Sequence, residues 1–170
     1  GPSGCGKSTF LKIINKEATA DDGLFRFGSN VKIGYFDQNI DKLSSHKTVL
    51  DEVWDMYPFM NETDVRRALA MFLFRGEDVF KSVSDLSGGE RAKISLLKIM
   101  LAKPNFLILD EPTNHLDIIS REVLENALLD FDGTLLVVSH DRYFINKLAT
   151  KTVHLTHDGG VNIDGNYDAY

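Results

Sequence analysis

The feature that most constrains this chain is its first eight residues, Gly-Pro-Ser-Gly-Cys-Gly-Lys-Ser, which match the pattern G-x-x-x-x-G-K-[S/T] at every fixed position. Glycines let consecutive backbone N–H groups turn toward one phosphate, and the positive end of the following helix adds to the attraction. A glycine-rich turn that merely caps a helix is the alternative, and the Lys-Ser pair in register favours a phosphate-binding loop over it. The residues expected to contact nucleotide phosphates are Gly1, Pro2, Ser3, Gly4, Cys5, Gly6, Lys7, Ser8 and Thr9.

Within this loop the side chains have different expected roles. Lys7 would reach the β- and γ-phosphates of a nucleoside triphosphate, and the hydroxyl of Ser8 would coordinate Mg²⁺. Cys5 occupies a variable position of the pattern and is interpreted as a small packed residue rather than a nucleophile. As the single cysteine of the chain, it also excludes an internal disulfide framework.

Length and composition indicate one globular domain. The chain has 170 residues, of which 43% are hydrophobic and 26% charged, enough for one hydrophobic core. No apolar run reaches the roughly 20 residues that span a bilayer, and the N-terminus does not resemble a signal peptide, so we expect a cytoplasmic protein. The net charge of −6 argues against a broad nucleic-acid-binding surface.

The pattern of apolar residues alternates between strand and helix. It predicts strands at Val31–Phe36, Phe106–Leu109, Thr134–Val138, Thr152–Leu155 and Val161–Ile163. It predicts helices at Ser8–Ile14, two within Thr48–Phe74 on either side of Pro58, and others at Gly88–Ala102, Arg121–Asp130 and Arg142–Leu148. The expected fold is therefore α/β, with a parallel-sheet core at 1–40 and 103–170 and a helical subdomain at 41–102.

Two acidic residues follow a predicted buried strand. Phe106–Leu109 is a short apolar run that leads directly into Asp110 and Glu111. The carboxyl edge of a parallel sheet is where ligands of such folds bind. We expect Asp110 to hold Mg²⁺ through water and Glu111 to act as general base toward the attacking water.

A second glycine-rich segment, Leu-Ser-Gly-Gly-Glu at 86–90, predicts a helix N-terminus. Ser87 and Glu90 have the S-x-x-E spacing of a capping box. Gly88 and Gly89 then leave backbone N–H groups open to an anion. A well-capped surface helix is the alternative interpretation when this segment is considered by itself.

The order of these motifs along the chain resembles that of ATP-binding-cassette domains, from the first residue to the last. The order is phosphate loop, Gln38, Leu-Ser-Gly-Gly-Glu, apolar-Asp-Glu and a histidine after a strand, His140. The resemblance implies a P-loop NTPase (RecA-like) core with an inserted α-helical signature subdomain. It also implies that Gln38 senses Mg²⁺ and the attacking water, and that His140 contacts the γ-phosphate.

The same resemblance implies a composite site that uses ATP and Mg²⁺. Lys7, Ser8, Asp110 and Glu111 would act on the nucleotide of their own cassette. The signature segment would contact the nucleotide held by a second cassette, in the same polypeptide or in a dimer mate. The residues expected to act across that interface are Ser87, Gly88, Gly89, Glu90 and Asp117.

The segment Asp-Glu-Pro-Thr-Asn-His-Leu-Asp at 110–117 resembles the ABC-F branch, because transporter cassettes usually carry Ser-Ala in place of Asn114-His115. The segments 34–38, 139–144 and 165–170 are also similar to that branch. Membership would imply two cassettes in one polypeptide, no membrane domain, and action on the ribosome near tRNA. The region Thr48–Arg75 resembles the second cassette more than the first.

Two other functions stay open at this point: the motor subunit of a membrane transporter, and an ATP-gated interaction module that does not hydrolyse ATP. Because the chain begins at the phosphate loop, it is expected to be an N-terminally truncated piece of a cassette, less stable and less active alone. The sequence does not distinguish antibiotic resistance, rescue of stalled ribosomes and assembly as the ribosomal task.

Overall fold

The computed structural model describes residues 30–37, 43–44 and 46–148, together with the backbone of Thr152–Leu155 and Val161–Asp164. The predicted phosphate-binding residues Gly1–Thr9, the helix predicted at Ser8–Ile14 and the predicted metal-sensing Gln38 lie outside the described residues.

The chain divides into two compact units, each assembled from separate stretches of sequence. The sheet unit comprises Gly1–Asp37, Pro104–Pro112 and Asp132–Tyr170, and the helical unit comprises Gln38–Lys103 and Thr113–Phe131. The boundaries expected from the sequence placed 113–131 with the sheet, whereas its backbone clusters with the helical segment. The difference arises because the helix within this stretch packs on the helix that begins in the Leu-Ser-Gly-Gly-Glu segment.

The described residues form five strands and five α-helices. The strands are β1 Ile33–Phe36, β2 Phe106–Asp110, β3 Thr134–Val138, β4 Thr152–Leu155 and β5 Val161–Asp164. The helices are α1 Val49–Trp54, α2 Glu62–Met71, α3 Gly88–Leu101, α4 Ile118–Leu129 and α5 Arg142–Leu148. Two short 3₁₀ helices, Gly76–Phe80 and Val83–Asp85, lead into α3.

The sheet unit is organised around β2. Among the described residues, β2 lies between β1 and β3, and both pairings are parallel. Leu107, Ile108 and Leu109 are fully buried, as expected for a strand covered on both faces. β4 and β5 form a separate antiparallel pair. Parallel pairing places the carboxyl ends of β1, β2 and β3 at one edge of the sheet.

The helical unit is built from capped, amphipathic helices. Thr48, Asn61 and Ser87 each accept a backbone hydrogen bond at the start of α1, α2 and α3. α3 packs against α1 and α4. A buried ion pair joins α1 to α3, with Lys98 Nζ 3.0 Å from Glu52 Oε1, and Glu52 also accepts a hydrogen bond from the Ser44 amide.

Candidate functional site

The backbone at the end of β2 turns sharply between the two acids. Asp110 is the last residue of β2, and Glu111 has a φ of 48°, in the left-handed region that residues with a Cβ rarely adopt. The Glu111 amide donates to the Val138 carbonyl at 2.7 Å. This bond joins the backbone of Glu111 to the end of β3.

Glu111 and His140 lie close together at this edge of the sheet unit. His140 Nε2 is 3.5 Å from Glu111 Oε1, with side-chain exposures of 57% and 24%. His140 follows β3, so the parallel pairing of β2 with β3 brings a carboxylate and an imidazole to the same place. Both groups can exchange protons with a bound water, which general acid–base chemistry requires.

Asp110 has a neighbour on β1 that the sequence analysis did not identify. The Tyr35 hydroxyl donates to Asp110 Oδ2 at 3.4 Å, at the long end of the range for such a bond. Burial, with the negative charges of Asp110 and Asp37, raises the pKa of Tyr35 to about 12. The phenol therefore stays protonated and acts as the donor.

The donor set at this edge fits Mg²⁺ in its chemistry. Mg²⁺ prefers hard oxygen ligands and is usually held by one or two carboxylates together with phosphate oxygens and waters. Asp110 supplies a half-buried carboxylate at the strand end. Across the described part of the chain, no cluster of three or more His, Cys, Asp or Glu could hold a metal alone.

In the helical unit, the Leu-Ser-Gly-Gly-Glu segment forms the start of α3. Ser87 Oγ accepts from the Glu90 amide at 3.2 Å, and Glu90 Oε1 accepts from the Ser87 amide at 3.1 Å. The capping box predicted from the sequence is therefore confirmed. The amides of Gly88 and Gly89 take no part in it, and they stand at the positive end of a 14-residue helix.

The two glycines of this segment have opposite surroundings. A Cβ on Gly88 would have no atom within 4 Å, so the space beside that residue is open. A Cβ on Gly89 would overlap Asp117 Oδ1 and lie 2.5 Å from Ser120 Oγ. Gly89 is thus required by the close approach of α4, whereas Gly88 leaves room for a ligand.

Asp117 caps α4 directly beside Gly89. Its Oδ2 accepts from the Ser120 amide at 3.1 Å. Hydrogen bonds from the side chain and backbone of Ser120 lower the pKa of Asp117 below its ordinary value of 3.8. The carboxylate therefore stays ionised at neutral pH, and the starts of α3 and α4 form one packed block.

A buried cation lies next to this block. Lys93 is 5% exposed, and its Nζ lies 4.7 Å from the centre of the Phe74 ring. Burial lowers the pKa of Lys93, and the carboxylates of Glu90 and Asp117 oppose part of this effect.

The structure places the predicted residues in two groups. The sheet unit brings together Asp110, Glu111 and His140, and the helical unit brings together the signature segment and Asp117. Sequence reasoning missed Tyr35, Lys93 and Ser120. Only Ser120 had a usable signal, since it stands three residues after an N-cap aspartate.

The comparison with protein families matches residues 1–114 to the family described as ABC transporter. The chain belongs to the ATP-binding-cassette family. This cassette is 55% identical to the putative ATP-binding protein YdiF of Bacillus subtilis over 170 residues, which is all of this chain and 26% of that protein. It is 40% identical to the energy-dependent translational throttle protein EttA of Escherichia coli K12 over 175 residues, which is 100% of the chain and 32% of EttA.

The cassette is also 43% identical to the ATP-binding protein Uup of Haemophilus influenzae, over 99% of the chain and 27% of that protein. These relatives are ABC-F proteins, which confirms the branch expected from the sequence. The cassette spans 26% to 32% of the length of these three relatives.

Solved structures confirm the fold. The dimeric post-hydrolysis state of the ATP-binding cassette MJ0796 bound to ADP and Pi matches with a TM-score of 0.72 and 24% identity, covering 97% of this chain and 82% of that one. An inward-facing putative metal-chelate type ABC transporter matches with a TM-score of 0.69 and 22% identity, covering 97% and 70%. Within the described residues, no helix combines the length and apolar character needed to cross a membrane.

Proposed function

We propose that this cassette binds ATP with Mg²⁺ and hydrolyses it at a composite site completed by a second cassette. The observation that carries the proposal is the pair of acids at the end of β2, with the second acid 3.5 Å from the histidine that follows β3. The phosphate-loop sequence of the same chain supplies the residue types that would hold the phosphates next to such an edge.

The residues of this chain would have separate roles at the nucleotide. Lys7 and the loop amides hold the phosphates, while Ser8, Gln38 and Asp110 provide oxygen ligands for the metal. Bound Mg²⁺ would neutralise phosphate charge. Glu111 accepts a proton from the attacking water, and His140 keeps the γ-phosphate and the Glu111 carboxylate in place.

The packed starts of α3 and α4, here called the signature block (residues 86–90 with Asp117 and Ser120), would act on the nucleotide of the second cassette. The amides of Gly88 and Gly89 at the start of α3 suit an anionic phosphate, and the open space at Gly88 allows it to approach. Ser87 and Glu90 fix this helix end, and Asp117 fixes the start of α4 beside it.

The test of hydrolysis is Glu111→Gln in the complete natural protein, compared with Glu122→Gln, which alters an exposed glutamate on α4. Loss of the general base should slow hydrolysis at this cassette's own site by about 10²- to 10⁴-fold while ATP binding persists, so that total turnover falls to about half when the second site still works. The Glu122 variant should keep its turnover. Wild-type turnover by Glu111→Gln would refute the assigned role of Glu111.

We further propose that the complete protein acts on the ribosome and is cytoplasmic. The support is the ABC-F resemblance of residues 110–117 and the 40% identity to a protein named as a translational throttle. A transporter motor is the main rival, and Asn114-His115 argues against it.

Co-sedimentation with ribosomes tests this task. The Glu111→Gln protein should pellet with ribosomes when ATP is present and stay in the supernatant without it. Its matched control carries Lys7→Ala in addition, which should abolish ATP binding and pelleting together. Absence of pelleting despite measured ATP binding would reject the ribosomal role and leave the ATPase assignment standing.

A further inference from the structure

We infer that Tyr35 is a positioning residue for Asp110. The Tyr35 hydroxyl holds the Asp110 carboxylate in the orientation needed to bind the metal–nucleotide complex. The inference rests on the function proposed above, in which Asp110 is a metal-binding residue. It adds a role for β1, an element to which no function has been assigned.

The geometry follows from the strand register. Tyr35 on β1 is the parallel partner of Ile108 on β2. Side chains two positions apart on a strand share a face, so Ile108 and Asp110 point to the same side as each other. The Tyr35 ring packs against Ile108, and its hydroxyl reaches one step further to Asp110 Oδ2, at 3.4 Å.

The position of Asp110 explains why such a contact matters. It is the last residue of β2, one position beyond the end of the pairing with β1 at Leu109. A hydrogen bond to one carboxylate oxygen limits rotation of the group before any ligand arrives. Partners of metal-binding carboxylates typically change metal affinity by about 10- to 100-fold when removed. Because this bond is long, we expect a smaller effect.

A purely structural role for Tyr35 is the competing explanation. Its ring is half-buried and packs on the core residue Ile108, and it would do so without the hydroxyl. Tyr35→Phe keeps the ring and removes only the hydrogen bond. A structural role therefore predicts a change in stability alone, while positioning predicts a change in metal affinity.

The experiment uses the complete natural protein carrying Glu111→Gln, which prevents turnover at this cassette's own site. It measures Mn²⁺ binding to the ATP complex of that protein by electron paramagnetic resonance. Adding Tyr35→Phe should raise the Mn²⁺ dissociation constant about 3- to 10-fold. ATP affinity without metal should not change. Tyr143→Phe is the matched control, because this exposed tyrosine loses a hydroxyl away from Asp110.

Two further variants separate positioning from packing. In an Asp110→Ala background, Tyr35→Phe should have no additional effect on Mn²⁺ affinity, because the oxygen acceptor that Tyr35 orients is gone. Placing 4-aminophenylalanine at position 35 restores a donor on the ring and should restore the affinity; it serves as the informative variant if Tyr35→Phe does not fold.

The outcomes for this inference and for the proposed function differ. If the Glu111→Gln protein binds no metal–ATP complex at all, the proposed function fails. If it binds the complex and Tyr35→Phe binds it with unchanged affinity, the positioning role of Tyr35 is overturned and the ATPase assignment stands. An equal loss in the Asp110→Ala background would also overturn it.

Discussion

At the scale of single residues, Glu111 combines the proposed chemistry with an unfavourable backbone conformation. A φ of 48° costs an L-residue roughly 1–2 kcal/mol, a cost that glycine does not incur. Glycine loses about 0.5–1 kcal/mol through greater freedom of the unfolded chain. Because the strain of glutamate exceeds the entropic cost of glycine, glycine would be the more stable residue at this position. The presence of glutamate is therefore explained by its chemistry and not by stability.

We therefore predict that Glu111→Gly raises the free energy of unfolding by about 0.5–1 kcal/mol and abolishes hydrolysis at this cassette's own site. Glu111→Gln, which keeps the strain, should abolish hydrolysis at the same site without gaining stability. Urea unfolding of both variants beside the wild type checks this, and a Gly variant less stable than the Gln variant would contradict it.

Asp117 gives a residue-scale prediction about pH. Its pKa is lowered in the folded state by Ser120, so folding gains stability above about pH 3.8 and loses that part as the pH falls below this value. Ser120→Ala should lower stability at neutral pH and flatten its dependence on pH in the acid range. Asp117→Asn, which keeps an acceptor at the cap, is the control and should also show a flatter acid dependence.

Urea titrations between pH 3 and 7 provide the measurement. An unchanged acid slope in Ser120→Ala would show that the hydrogen bond from the Ser120 side chain does not lower the pKa of Asp117.

At the scale of elements, the two adjacent glycines at the start of α3 have different roles. We expect Gly89 to be needed for folding, and Gly88 for binding of the phosphate. Gly89→Ala should lower the free energy of unfolding by about 1–3 kcal/mol, because the new methyl group would displace the Asp117 cap and Ser120. Gly88→Ala meets open space and should fold normally, yet lower ATPase activity by obstructing the phosphate. Thermal unfolding and turnover of both variants test this pair, and equal stability losses would contradict it.

The ion pair between α1 and α3 gives a second prediction at this scale. Glu52 is 3% exposed, and removing it leaves Lys98 without this partner and the Ser44 amide without this acceptor. Glu52→Ala should cost about 3–5 kcal/mol. Arg66→Ala removes an exposed pair with Glu62 and should change stability by less than about 1 kcal/mol. Chemical denaturation measures both, and similar losses would refute the distinction.

Sequence patterns predicted some elements closely and others less well. β3 and α5 have the expected bounds, since short apolar runs ended by polar residues mark them clearly. α4 begins at Ile118, three residues before the predicted start at Arg121. The prediction was late because Ile118 and Ile119 are apolar but exposed, so they do not fit the buried stripe, and the cap at Asp117 was not recognised. The one cap predicted from the sequence, at Ser87, is present, whereas the caps at Thr48 and Asn61 were not predicted.

The contacts of the candidate site were less accessible to prediction than its motifs. The acids, the histidine and the capping box follow from local patterns. The approach of Tyr35 to Asp110 depends on β1 lying beside β2, and the crowding at Gly89 depends on α4 packing against α3. Neither neighbour relationship is encoded in spacing along the chain.

At the scale of the whole molecule, residues proposed for the cassette's own nucleotide and for its partner's nucleotide belong to different units. Glu111 and His140 lie in the sheet unit, whereas Gly88 and Asp117 lie in the helical unit. If the site is composite, Gly88→Asp and Glu111→Gln disable two different sites of a two-cassette protein.

We predict that Gly88→Asp and Glu111→Gln each leave a substantial residual turnover of up to about half, and that the double variant falls well below either. Steady-state ATPase assays of the three variants decide the point. A double variant no slower than the slower single variant would show that both residues serve one site.

The interleaving of the two units has a consequence for biosynthesis. The helical unit is complete once residue 131 has been made, whereas the sheet unit still needs β3 and α5 from 132 onward. During translation, which proceeds from the N-terminus, the signature block can therefore fold first. The contacts of the β2 end with Val138 and His140 can form only after those residues have been made. The element that would serve the partner's nucleotide is thus finished before the chain can complete the edge that would serve its own.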